Sequence, residues 1–187
     1  MKERPILFSG PMVRAIFDDR KTQTRRAIKT GGIPYDEFWA EQWLRKGKCP
    51  FGTPGDRLWV RETWAQPFAE VEGSNGVIYR ADGPEYLGFA ERRHGWGADG
   101  DWRPSIHLPR KFCRLLLDVK AIRVERLNDI SEDDCKAEGC VDRGDSASDQ
   151  FAELWESING KRGYGWKENP WVWVVEFERA QPEREID

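Results

Sequence analysis

Histidine occurs only twice in this chain, and cysteine four times. Cys49, Cys113, Cys135 and Cys140 are widely spaced except for the last pair, which has no second close pair and no nearby histidine. A zinc site is therefore not expected, and reduced, mostly structural thiols are. No apolar run approaches the roughly 20 residues needed to span a bilayer. The opening MKERPILFSGPM holds no apolar stretch of signal-peptide length, so a cytoplasmic protein with no membrane partner is expected. There is no P-loop and no dinucleotide fingerprint, no internal repeat and no low-complexity tract, and no cofactor is expected.

What is present is aromatic and charged. Ten tryptophans are many for 187 residues, and indoles both fill cores and stack on flat ligands such as bases. The length suits one domain, residues 1–187, with room for insertions. Hydrophobic residues make up 39%, enough for a core of modest size. The net charge of −3 argues against a generic nucleic-acid coat, but the charges are segregated. Residues 1–30 hold eight Lys/Arg against three Asp/Glu, residues 101–126 seven against three, and residues 127–156 two against ten. Two basic segments on one face attract phosphates whatever the net charge.

The coarse pattern reads as a short strand at PILFSG, then an amphipathic helix opened by Pro11 with Met12, Val13, Ile16 and Phe17 at helical spacing. KTQTRRAIK follows as a strand. Turn-rich GGIP and CPFGTPGD bracket an excursion in which Phe38, Trp39, Trp43 and Leu44 suggest a helix. RLWVRETW is a strand with Leu58 and Val60 on one face, and GVIYRAD is another. The Gly-rich segment 83–102 reads as a long surface loop and a candidate lid. Residues 111–127 read as a long strand or a hairpin with Leu115, Leu117, Val119 and Ile122 as core candidates. Ser131 opens a short acidic helix as N-cap, and Gly139 closes it. Phe151, Leu154, Trp155 and Ile158 form one stripe of a second helix, and PWVWVVEFERA is a final strand. This order predicts an α+β fold: a small mixed barrel with flanking helices.

The stretch DDRKTQTRR packs four cations into residues 20–26 around two threonines. From spacing alone it reads first as a charged edge that opposes aggregation, and otherwise as a phosphate clamp or a lysine beside a nucleophilic hydroxyl. Elsewhere, Glu62 in VRETW is a competing carboxylate and Arg61 a phosphate or base contact. Trp64 is a stacking platform or a core indole. Ser105 and His107 are spaced as neighbours on one strand face, a pattern that arises by chance. INGKRGYGW offers Lys161, Arg162, Tyr164 and Trp166 as a phosphate-contacting loop or a packed connector.

DDRKTQTRR, PGDRLWVRE, ISEDDCKAEG and the closing WVWVVEFER come in the order and character of the ASCH domain, which the chain resembles over residues 5–26, 55–63 and 113–179. It looks like a phage or prophage branch of that family. The resemblance implies a PUA-like β-barrel, with segments 31–54 and 83–108 as insertions absent from the smallest members. It implies a modified nucleoside or RNA as ligand, in a bacterial or phage-infected cell. Small bacterial members include amidohydrolases that remove the acetyl group of N4-acetylcytidine. Their lysine and threonine fall on Lys21 and Thr24, and their glutamate on Glu138. Other members are described as ribonucleases, whose residues find no match here. On this reading Arg20, Arg25, Arg26, Arg61, Trp64, Lys111, Tyr164 and Trp166 are the ligand-binding candidates. A non-catalytic reader of RNA or modified bases, and a phage accessory protein that binds another protein, are the rival functions.

Chemically, a threonine hydroxyl needs a base, and a lysine serves as one only when its pKa falls from about 10.4. Burial and neighbouring cations push it down. Side chains three apart on a regular strand point to opposite faces, so the catalytic reading places Lys21 in the turn before the strand.

Overall fold

The computed structural model describes residues 1–29, 37–66, 76–83, 102–141 and 146–181. The predicted lid lies almost wholly outside them. Seven strands occur among the described residues: β1 (Glu3–Leu7), β2 (Gln23–Ala27), β3 (Arg57–Arg61), β4 (Trp64–Ala65), β5 (Ile78–Tyr79), β6 (Leu116–Arg126) and β7 (Trp171–Arg179). Four helices accompany them: α1 (Gly10–Phe17), α2 (Glu37–Arg45), α3 (Glu132–Ala137) and α4 (Ala147–Asn159). The class is α+β. No helix is long and apolar enough to cross a membrane.

Five strands pair in the order β1-β3-β6-β7-β2, with β1 parallel to β3 and the other pairs antiparallel. A two-residue ribbon, β4 with β5, stands apart. β1 and β2 are the ends of the sheet, and among the described residues no ladder joins them. What links them is side-chain chemistry: Arg26 Nη2 donates to the Leu7 carbonyl at 2.6 Å. The predicted barrel is thus described as a mixed five-stranded sheet with a gap between its edges.

Strand β7 explains why the sheet is covered on both sides. Trp171, Val172, Trp173, Val174, Val175 and Phe177 are all buried, without the apolar–polar alternation of a one-sided strand. Val172 and Val174 pack with Phe151 and Trp155 of α4, and with Leu127 and Cys135. Trp171 and Trp173 pack with Ile28 and Cys49, while Val175 and Phe177 join Ile6, Val13, Ile16, Leu58 and Leu117. Trp43 of α2 stacks on Trp173 at 6.1 Å, so the 31–54 excursion is tied to the sheet.

Several elements differ from the sequence expectation: KTQTRRAIK is strand only from Gln23, GVIYRAD only at Ile78–Tyr79, and the 111–127 stretch only from Leu116. RLWVRETW breaks after Arg61, and Trp64 turns away into the small ribbon. The helical stripe of α4 also divides: Phe151 and Trp155 are buried, whereas Leu154 and Ile158 stay exposed, 41% and 40%. All four border an open cavity, but only Phe151 and Trp155 also pack into a core cluster.

Candidate functional site

Two turns bring the site together. At the end of α1, Asp19 adopts φ 55°, in the left-handed region that aspartate tolerates. The amides of Arg20 and Lys21 then both donate to the Ala15 carbonyl, at 2.9 and 3.0 Å. Lys21 therefore lies in the turn before β2. At the end of α3, Gly139 adopts φ 97°. Cys140 N donates to Cys135 O and Gly139 N to Lys136 O, at 3.2 and 2.8 Å, the Schellman pattern. The two turns meet as a bridge between Lys21 and Glu138, supported by Thr22 N to Ala137 O at 2.9 Å. A Cβ added at Gly139 would stand 3.1 Å from Ala15 Cβ and 3.3 Å from Lys21 Cβ, so only glycine fits without a shift.

Lys21 is 2% exposed. Its Nζ donates to Glu138 Oε2 at 2.7 Å and to the carbonyls of Glu138 and Gln23 at 2.8 Å each. Burial holds its pKa below the ordinary lysine value, against the opposing pull of Glu138. The second Glu138 oxygen accepts from Arg25 Nη1 at 3.3 Å. Arg25, 4% exposed, also reaches Glu125 Oε1 through Nε and Nη2, at 3.0 and 2.5 Å, and Asp134 Oδ2 at 3.0 Å. Asp134 in turn accepts from Gln23 Nε2 and Arg123 Nη2. Burial alone would raise the Asp134 pKa; the Gln23 hydrogen bond and the charges of Arg25 and Arg123 outweigh it and hold it at about 2.

A cavity of about 730 Å³ opens between β1 and β2 and is walled by α4 and the chain around Trp43. Thr24, Arg25, Arg26, Arg61 and Glu138 line it, with Tyr164 and the indoles Trp43, Trp155 and Trp173. Thr24 is 2% exposed, and among the described residues nothing hydrogen-bonds its hydroxyl. Lys21 is not among the residues that line the cavity, but Glu138, to which it is bonded, is. Among the described residues, no group of three or more His, Cys, Asp or Glu is placed to hold a metal ion.

The other predicted binding residues divide. Arg26, Arg61 and Tyr164 line the cavity. Arg25 lines it too, but its guanidinium is occupied by carboxylates. Arg20 is on the surface, paired with Asp18 at 2.8 Å. Lys111 is exposed beside Phe112. Trp64 is a core indole packed with Val77, Tyr79 and Leu108, and Trp166 packs edge-on against Phe151. Ser105 and His107 fall on a single 3₁₀ turn. Glu62 is 1% exposed and accepts from Arg114 Nε and Nη2, at 2.9 and 2.8 Å, while Arg114 Nη1 pairs with Asp82 at 2.6 Å. It does not line the cavity.

Sequence reasoning missed Gln23, Arg123, Glu125 and Asp134 as partners of the site. Gln23 and Arg25 alternate along β2, so a shared face was readable. Glu125 lies 100 positions from Arg25, and nothing local connects them. Lys29 and Lys48 in the cavity wall were also missed.

No protein-family model matches the chain, and no curated protein does. The chain is similar to the solved ASCH domain from Lactobacillus crispatus JV V101, at 12% identity and TM-score 0.46, covering 95% of this chain and 79% of that one. It is similar also to protein EF3133 from Enterococcus faecalis V583, at 10% identity and TM-score 0.46, covering 96% and 81%.

Proposed function

We propose that the cavity between β1 and β2 binds a nucleoside unit, free or within RNA, and that Thr24, Lys21 and Glu138 cleave an N4-acyl amide on cytosine. One observation carries this reading: an unpartnered threonine hydroxyl lines an indole-walled cavity beside a carboxylate that is bonded to a fully buried lysine. Flat indoles suit a base, and the resemblance to small ASCH amidohydrolases supplies the amide as target.

The Lys21 ammonium and Glu138 carboxylate are 2.7 Å apart, and passing one proton between them leaves a neutral amine and a carboxylic acid. Low local dielectric favours that neutral pair. The Thr24 proton passes through the Glu138 carboxyl to that amine as Thr24 Oγ1 attacks the acyl carbon, and the acid then protonates the departing N4 amine. The base leaves as cytosine, and the acyl group stays on Thr24. Water then hydrolyses that ester, giving the free acid and restoring the hydroxyl. Arg25, fixed by Glu125 and Asp134, orients Glu138 throughout.

A second reading rests on the same lysine. Nζ has three acceptors around it, the full complement of an ammonium. If that ammonium never gives up a proton, the cavity is a reader of modified bases without catalysis. Incubation with N4-acetylcytidine, followed by mass spectrometry, separates the two. Cytidine and acetate appearing with the native chain, but not with Thr24→Ala, support the enzyme. Binding without turnover leaves the reader.

A further inference from the structure

The cavity carries more positive charge than amide cleavage uses. Five cations besides Arg25 line it: Arg26, Lys29, Lys48, Arg61 and Arg162. Among the described residues none of the five forms an ion pair. The carboxylate in the wall, Glu138, is already shared between Lys21 and Arg25.

Arg26 and Arg61 are the informative two. They come from strands that do not pair, β2 and β3, and meet at the C-terminal end of β1. Arg61 stands opposite Leu7 in the parallel ladder, and its carbonyl accepts from Phe8 N at 3.2 Å. Arg26 donates to the Leu7 carbonyl, and its guanidinium lies over the Phe8 ring at 5.1 Å. The Arg61 guanidinium lies over Trp59 at 5.2 Å. The ring faces hold both groups flat, while Nε of each is buried with no hydrogen-bond partner. An unmet buried donor is costly, and two cations flanking one backbone segment repel each other. An anion with several acceptor oxygens relieves both costs, and planar guanidinium groups match phosphate well.

We propose that Arg26 and Arg61 form a phosphate-binding subsite in this cavity, so that the ligand is a phosphorylated nucleoside unit, a nucleotide or a length of RNA strand, rather than a free nucleoside. This rests on the nucleoside reading above and narrows it. Phosphate at Arg26 and Arg61 holds the sugar at the β1 edge, which leaves the base to reach the indoles and Thr24. The exposed Lys29, Lys48 and Arg162 add a screened attraction for neighbouring phosphates.

The test is calorimetric titration of the full chain with N4-acetylcytidine, its 5′-monophosphate, a short oligoribonucleotide bearing the same base, and inorganic phosphate. kcat/KM replaces affinity where turnover occurs. The monophosphate is expected to bind at least about tenfold more tightly than the nucleoside, as a charge-assisted contact to phosphate should provide. Arg61→Gln should remove that advantage and leave nucleoside binding in place. A further gain for the oligonucleotide assigns the ligand to an RNA strand; parity with the monophosphate assigns it to a nucleotide. Equal binding of nucleoside and monophosphate, or an advantage that survives Arg61→Gln, overturns the subsite and leaves the nucleoside reading standing. Phosphate and monophosphate binding equally, both lost in Arg61→Gln, with no binding of the nucleoside, supports the subsite and overturns the nucleoside reading. No binding of any probe overturns both. If Arg61→Gln does not fold, salt decides in the native chain: the monophosphate's advantage must shrink as salt rises, and an advantage indifferent to salt overturns the subsite.

Discussion

Glu62 and Glu138 are both buried carboxylates gripped by cations, and they are built for different ends. Glu62 receives the whole fork of Arg114, and that guanidinium is stacked over the Tyr79 ring at 4.0 Å and paired again with Asp82. Protein closes every side of it. Burial pushes the Glu62 carboxyl above its ordinary value, although Arg114 opposes the shift. Glu138 gives one oxygen to Lys21 and the other to Arg25, and it still borders the cavity. Burial and ion pairing are common to the two, so neither marks a reactive site. The difference lies in the cavity that Glu138 borders, with Thr24 beside it, whose hydroxyl has no hydrogen-bond partner among the described residues.

Turnover is where this contrast breaks most visibly. Thr24→Ala should lower cleavage of N4-acetylcytidine by about 1,000-fold or more, and Glu138→Gln by about 100- to 10,000-fold. Glu62→Gln should leave kcat nearly unchanged. Product formation followed by mass spectrometry checks all three, and a Glu62→Gln variant as inactive as Glu138→Gln would erase the distinction.

Stability should reverse the ranking. Removing one partner of a buried pair strands the other, at a cost of about 3–5 kcal/mol. Glu62→Ala should fall toward the lower end because Asp82 still holds Arg114. Thr24→Ala should cost well under that in urea denaturation. Comparable losses for the two would mean that Thr24 is a packing residue.

Gly139 sharpens the comparison through backbone alone. Gly139→Ala forces a side chain into the left-handed region, costing about 1–3 kcal/mol, and presses on Ala15 and Lys21. Its crystal structure should show Lys21 Nζ displaced from Glu138, with turnover reduced beyond the loss of folded protein. No comparable glycine supports Glu62 among the described residues, so variants there should leave activity alone.

The smallest effect is on pH dependence. Asp134 titrates low in the folded chain, at about 2 against an ordinary 3.8. Its contribution is therefore complete above the ordinary value and is lost as pH falls from there toward 2. The Glu62 pKa is raised, so its contribution is largest below the ordinary glutamate value and is lost as pH rises through the folded one. Melting curves across the acid range should show Asp134→Asn flattening the loss on acidification. Glu62→Gln should remove an opposing decline on the way up. A native acid limb unchanged in Asp134→Asn would show that Asp134 does not anchor Arg25.

Much of the fold is legible in local pattern. Pro11 and Ser9 mark the start of α1. Ser131 caps α3, where its hydroxyl accepts from Asp134 N at 3.1 Å. The apolar run of β7 announces a strand buried on both faces. These signals are short-range: a cap needs four residues, a strand its neighbours two away. The division of the α4 stripe was not legible, because Leu154 and Ile158 have the same apolar character as Phe151 and Trp155. Only the neighbouring elements decide which of them also meets a core.

The candidate site divides in the same way. By itself the sequence determined the cations of DDRKTQTRR and the glycine that ends α3. Which charge meets which was decided only by tertiary structure. Lys21 and Glu138 are 117 positions apart, and Arg25 is drawn from a phosphate-binding role into a cage by Glu125, 100 positions away. Arg26 and Arg61 reach one cavity only because β1 and β2 end the sheet facing each other. Charge identity is a property of each residue. Charge neutralisation depends on distance and burial, and strand order sets both.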